Sequence, residues 1–315
     1  MTRSHEPGYG APGPDRTGTV DFRGYATWYR VTGELDPAAE RAPLVVLHGG
    51  PGVAHNYCLA MANLAADGRA VIHYDQLGCG DSTHLPDADP GFWTVELFVA
   101  ELRNFVDALG VGGRFHLLGQ SWGGMLAPEF VLADGAGVVS MTICDSPASM
   151  ALWLDAAAGL RTRLPAEVEE TLRRHEEAGT TDSPEYEAAM QVFYARHVCR
   201  VQPFPPDVRA SFDQLAQDPT VYLTMNGPSE FHVVGSLKGW SVVDRLPAIT
   251  VPTLVVAGAH DEATPETWAP FVERIPDARS HVFPGSSHMP HVEEPAAFRA
   301  VVGGFLAEHD RHPSR

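Results

Sequence analysis

The chain has 315 residues, of which 44% are hydrophobic and 20% charged, enough to bury a core for one large domain or for a domain carrying an insertion. Its 22 Lys and Arg against 40 Asp and Glu give a net charge of -18, which argues against nucleic acid and anionic membrane surfaces as partners and favours cationic ligands. No run is long and apolar enough to span a bilayer, and Cys58, Cys79, Cys144 and Cys199 show neither CxxC pairing nor metal-ligand spacing, so the expectation is a cytoplasmic protein without a metal.

Residues 1–17, with "PGYGAPGP" and no apolar core for a signal peptide, are expected to be a flexible tail. From there short β-rich apolar runs alternate with helical stretches. Residues 43–47, 70–74, 115–119, 138–144, 253–257 and 281–283 predict buried strands, mostly parallel. The apolar spacing over 95–110, ending at Gly110, and over 296–309 predicts helices, the second one closing the chain. This alternation is an α/β architecture with a core over 18–146 and 247–310. Between them, residues 147–246 change character. "PAEVEETLRRHEEAG", "SPEYEAAMQVFYARHV" and "PDVRASFDQLAQD" are helices with proline or Asp starts and no strand between them, as in an inserted helical cap.

The strongest chemical signal is "FHLLGQSWGG" at 115–124. An apolar strand runs straight into Gly119-Gln120-Ser121-Trp122-Gly123 and then into a helix, the setting of a nucleophile elbow. The sharp reversal puts Ser121 in a strained conformation at a helix N-terminus, where the helix dipole favours developing negative charge. A serine nucleophile needs an acid and then a histidine downstream. Asp261, just beyond the strand in "TLVVAGAHDEATP", and His288, in the loop after the last strand, are the candidates. Asp145 in "ICDSP" also follows a strand and is a rival acid, while His291 is expected at the surface or behind His288, and His116 and His175 to be structural.

Serine chemistry also needs two backbone N–H donors for the oxyanion: one from the residue after the nucleophile, Trp122, and one from a loop after an earlier strand. "HGGPG" at 48–52 fits that loop. Pro51 has no N–H, which points to Gly50. No metal or organic cofactor is expected, since the triad supplies nucleophile and base.

"HGGPG", "YDQLGCGDS", "GQSWGG" and "GAHDEATP" together resemble the proline iminopeptidase family of α/β-hydrolases over residues 20–306. "TWYRVTG", "RAVIHYDQ", "FWTVELF", "FYARHVCRV", "EFHVVGSLKGW" and "SSHMPHVEE" resemble its L-proline amide hydrolase branch more closely. The family's second motif often has a basic residue where Leu77 sits. The resemblance implies an α/β-hydrolase fold with a helical cap, a Ser121, Asp261 and His288 triad, and two glutamates, Glu230 and Glu262, that hold the substrate's amino group. It implies hydrolysis of L-prolinamide-type substrates, or alternatively release of N-terminal proline from peptides. A protonated proline nitrogen offers two N–H groups, which two carboxylates can accept. An esterase or thioesterase would leave those glutamates without a task, and a dehalogenase-type Asp nucleophile is disfavoured by Ser121. Trp153, Phe193, Tyr194, Phe231 and Trp240 are candidate walls of the substrate pocket.

Overall fold

The computed structural model describes residues 10–36 and 38–310. Its chain enters through a hairpin of β1 (Arg16–Phe22) and β2 (Tyr25–Thr32), turned at Arg23 and Gly24, both at positive φ. Arg16 and Thr17, expected in the tail, are therefore already in a strand, whereas residues 1–9 of that segment lie outside the described residues. There follow β3 (Leu44–Leu47), β4 (Val71–Tyr74), α1 (Val95–Ala108), β5 (Phe115–Gln120), α2 (Trp122–Asp134) and β6 (Val138–Cys144). Then come five helices, α3 (Met150–Arg161), α4 (Ala166–Ala178), α5 (Pro184–His197), α6 (Pro206–Gln217) and α7 (Thr220–Met225). The chain returns through β7 (Thr253–Gly258), α8 (Pro265–Arg274), β8 (Ala278–Phe283), α9 (Pro290–Glu293) and α10 (Pro295–His309).

The strands form one sheet in the order β1-β2-β4-β3-β5-β6-β7-β8, parallel from β4 to β8, with β2 antiparallel to both β1 and β4. β3, β5 and β7 are buried along their whole length, which is why LVVL, FHLLGQ and TLVVAG carry no polar alternation. β8 differs from the expectation of a buried strand at 281–283. It begins at Ala278 and pairs only with β7, so His281 and Val282 face solvent and only Phe283 and the strand's first residue are withdrawn.

Side-chain caps start α1 and α3: the Thr94 hydroxyl accepts from the Leu97 N–H at 3.2 Å, and the Ser149 hydroxyl from the Ala151 N–H at 3.2 Å. Arg161 ties α3 to α4, binding Glu169 at 2.8 Å and Glu176 at 2.9 Å with its guanidinium over the Phe231 ring. Phe193 and Phe231 pack at 4.8 Å in the same layer. The helical layer is anchored on the core by Ser211 of α6, whose hydroxyl donates to the Ala54 carbonyl at 3.0 Å and accepts from the Tyr57 N–H at 2.9 Å.

Candidate active site

Register places the site. Leu47 pairs with Gly119, Gln120 with Cys144, and Cys144 with Val256, so the residues that follow β3, β5, β6 and β7 emerge side by side at the C-terminal edge of the sheet. In open α/β sheets that edge is where ligands bind.

Ser121 sits between β5 and α2 with φ 54° and ψ -120°, a left-handed conformation that a residue with a side chain adopts only under constraint. The constraint is local. A Cβ on Gly119 would stand 2.0 Å from the Gly123 carbonyl oxygen, so only glycine lets strand and helix approach closely enough to force the turn. The Ser121 N–H is held by the Cys144 carbonyl at 2.9 Å.

The fold brings His288 and Asp261 together. The imidazole Nδ1 lies 2.7 Å from Asp261 Oδ1, both side chains being buried, and that oxygen also accepts from the Ala263 N–H at 2.9 Å. With Nδ1 engaged as donor, Nε2 is the nitrogen available for proton transfer. Burial alone would lower the His288 pKa, but the adjacent Asp261 carboxylate, with Glu230 and Glu293 adding to it, raises it above the ordinary histidine value. Asp145, the rival acid, is fully buried next to Asp261 and makes no described contact with His288.

In the "HGGPG" loop, the Gly49 N–H donates to the Tyr57 hydroxyl at 2.6 Å. Gly50, at φ 113°, and Trp122 have N–H groups that no described hydrogen bond engages. "YDQ" braces this loop: Gln76 accepts from Trp122 Nε1–H at 2.9 Å and donates from its own amide to the His48 carbonyl at 3.1 Å. Asp75 in turn accepts from the His55 N–H at 2.8 Å and the Asp81 N–H at 2.9 Å. At Leu77 the N–H donates to the Glu101 carboxyl, which burial pushes up to about 7.

The two glutamates converge on the histidine. Glu262 is 2% exposed, its Oε1 is 3.8 Å from His288 Nε2, and neither carboxyl oxygen has a hydrogen-bond partner. Glu230 is partly exposed and accepts from the Tyr222 hydroxyl at 2.6 Å. Burial raises the pKa of both, and for Glu262 the neighbouring Glu230 and Asp261 add to it. Of the five candidate walls, Trp153 lies against the His288 ring at 5.9 Å and donates to the Glu230 carbonyl at 2.6 Å, and Tyr194 accepts from the Glu230 N–H at 3.3 Å. Phe193 and Phe231 belong instead to the packing of the helical layer, and Trp240 is turned away, bonded to Glu129 of α2 at 2.8 Å.

Tyr57 and Tyr222 carry no sequence signal, and Gln120 carries only that of the elbow it lies in, although each touches a site element. Of the two expectations for His291, the surface one is overturned: it is 1% exposed in α9, ahead of the closing helix, its ring bonded to the Tyr57 carbonyl at 3.0 Å. His116 is buried on β5, bonded to Ser140 and Asp310, and His175 lies near the end of α4. Among the described residues no cluster of His, Cys, Asp and Glu is arranged to hold a metal, and no helix is long and apolar enough to cross a membrane.

This fold and site carry the signature of a hydrolase, and comparison agrees. A family model described as alpha/beta hydrolase fold matches residues 42–295. The chain belongs to the proline iminopeptidase family of α/β-hydrolases and is a serine hydrolase. It is 41% identical to the proline iminopeptidase of Heyndrickxia coagulans over 279 residues, 87% of this chain and 93% of that one. Among solved structures it is similar to the proline iminopeptidase of Mycobacterium smegmatis, at 57% identity and a TM-score of 0.86, covering 94% of this chain and 99% of that one. It is also similar to VinJ, at 52% identity and a TM-score of 0.92, covering 94% of this chain and 100% of that one.

Proposed function

We propose that the chain is an aminopeptidase of the proline iminopeptidase type, which removes an N-terminal residue, proline foremost, from peptides. The observation that carries this reading is the pair Glu230 and Glu262. A buried carboxyl with both oxygens unpartnered beside the candidate base is costly unless a cationic donor completes it, and a free α-amine is such a donor. A blocked or internal amide nitrogen cannot supply that charge.

In the reaction the Ser121 hydroxyl attacks the carbonyl of the N-terminal residue while His288 Nε2 takes its proton. Asp261 holds the imidazole in the right tautomer and stabilises the imidazolium. The N–H groups of Gly50 and Trp122 bind the oxyanion. His288 returns the proton to the departing amine nitrogen, leaving an acyl-enzyme that water, deprotonated by the same histidine, hydrolyses. The clamp fixes the amine, so the scissile bond is the first one in the chain.

The expectation of L-prolinamide as the preferred substrate differs from this only in the leaving group. Relatives named proline iminopeptidase support the peptide leaving group, and prolinamide is retained as a small substrate of the same site. Four free, buried cysteines fit a reducing compartment such as the cytoplasm. Comparing kcat/KM for prolinamide and a prolyl dipeptide tests the assignment: the dipeptide is expected to be the better substrate, and a marked preference for prolinamide would return the reading to an amidase.

A further inference from the structure

Asp145 has no part in the triad, yet its placement is constrained. It follows β6 at φ 53°, in the left-handed region that an aspartate enters at a cost, and it is fully buried. The backbone pins it: its N–H donates to the Val256 carbonyl at 2.8 Å, and its Oδ1 accepts from the Gly258 N–H at 3.2 Å, both partners on β7. The remaining oxygen, Oδ2, is buried and without any other partner. Asp261, three residues past Gly258, shows the complementary pattern. Its Oδ1 is filled by His288 and Ala263, while its Oδ2 is buried and unpartnered. The pairing of β6 with β7 and the bond to Gly258 set Asp145 beside the turn that carries Asp261, so two buried carboxyls, each with one oxygen left over, are neighbours. Two buried carboxylates cannot share that space as anions, but a carboxylic acid and a carboxylate can, joined by one proton.

We propose that Asp145 is a carboxylic acid that donates its proton in a hydrogen bond to Oδ2 of Asp261, making it the positioning residue behind the triad. The donor side of the pair is set by contacts. Asp261 faces an imidazole that becomes cationic during the reaction, which favours its carboxylate, whereas Asp145 meets one backbone N–H and no cation among its described contacts. Burial, with the Asp261 carboxylate beside it, accordingly holds the Asp145 carboxyl well above the usual range. The consequence is mechanical and electrostatic. Asp261 is held at both oxygens, so its Oδ1 stays aimed at Nδ1 of His288, and no second negative charge sits behind it.

This inference rests on the triad reading, and the tests separate the two. In Asp145→Asn the amide oxygen accepts from Gly258 and the NH2 group donates to Asp261, reproducing the proposed acid. In Asp145→Leu the donor is gone. The Asn variant is expected to keep kcat within about threefold and to leave the acid limb of the pH profile, set by His288, in place. The Leu variant is expected to lose about ten- to a hundredfold in kcat, the usual effect of orphaning a buried charged acceptor. A downward move of the acid limb in Asp145→Asn would overturn the proposal, because it would mean that a negative charge had been removed. Equal losses in the two variants, or full activity in Asp145→Leu, would overturn it as well. An activity-independent readout is the carbonyl stretch of an un-ionised carboxylic acid in the infrared difference spectrum, wild type minus Asp145→Asn, at neutral pH. It is expected to be present, and its absence refutes the proton on Asp145 whatever the enzyme does. Failure of the triad itself would appear elsewhere, as retained turnover in Asp261→Asn.

Discussion

Gln120 Nε2 donates to the backbone carbonyl of His288 at 2.8 Å, so the residue just before the candidate nucleophile holds the segment that carries the candidate base. The other end of the same amide accepts from the Tyr57 hydroxyl, which in turn accepts from the Gly49 N–H. One side chain thus couples the elbow, the histidine loop and the HGGPG loop. Replacing it by leucine keeps the volume and orphans two buried groups, at about 1–3 kcal/mol each. Gln120→Leu is expected to lower kcat by about ten- to a hundredfold with a smaller effect on KM, since Glu230 and Glu262, the proposed amine clamp, are untouched. Steady-state kinetics beside a thermal melt read this, and an unchanged kcat in a folded variant contradicts it.

The amine clamp predicts a substrate-dependent loss. Glu230→Gln removes one charge-assisted contact, about 1.5–3 kcal/mol, or about ten- to over a hundredfold in kcat/KM on a prolyl substrate. An activated ester without an amino group uses only Ser121, His288, Asp261 and the oxyanion donors, so its hydrolysis is expected to fall far less. Equal losses on both substrates would mean that Glu230 supports the site rather than the amine.

Stability should carry a pH signature from Glu101. This carboxyl accepts from the Thr27 hydroxyl and the Leu77 N–H, and burial raises it from 4.5 to about 7. A carboxyl raised in the folded state contributes stability that is fully present below its unfolded pKa and is lost as pH rises through the folded one. Between pH 4.5 and about 7 that loss is on the order of 3 kcal/mol. Glu293, also raised to about 7, adds to it. Urea unfolding at pH 5 and at pH 8 is expected to show a smaller difference for Glu101→Gln than for the wild type. Identical differences would show that Glu101 is not the group responsible.

What could be foreseen from sequence divides along chain separation. The elbow, the cap helices and the central strands are written in contiguous residues: Gly119 to Gly123 encode a turn, and α4, α5 and α6 each carry their own start signals. The β1 and β2 hairpin escaped because RTGTVDF is largely exposed and polar, so it shows no apolar run. Asp145 remained a rival to Asp261 in sequence because both follow a buried strand; only the pairing of β6 with β7 sets one behind the other. Gln120 and Tyr57 act through bonds to residues 168 and 63 positions away, a relation that composition and periodicity do not record. Trp240 shows the converse error, an aromatic near Glu230 in sequence that the fold spends on Glu129.

The central claim is that this serine hydrolase recognises a free N-terminal amine, and its most direct measurement compares prolyl para-nitroanilide with N-acetylprolyl para-nitroanilide. The two share acyl carbon, ring and leaving group and differ at the nitrogen that Glu230 and Glu262 would hold. Acetylation removes the positive charge and leaves a buried carboxylate uncompensated, so kcat/KM is expected to fall by more than about a hundredfold. Hydrolysis of the acetylated anilide within a few-fold of the free amine would contradict the aminopeptidase account and leave a serine hydrolase of esterase type.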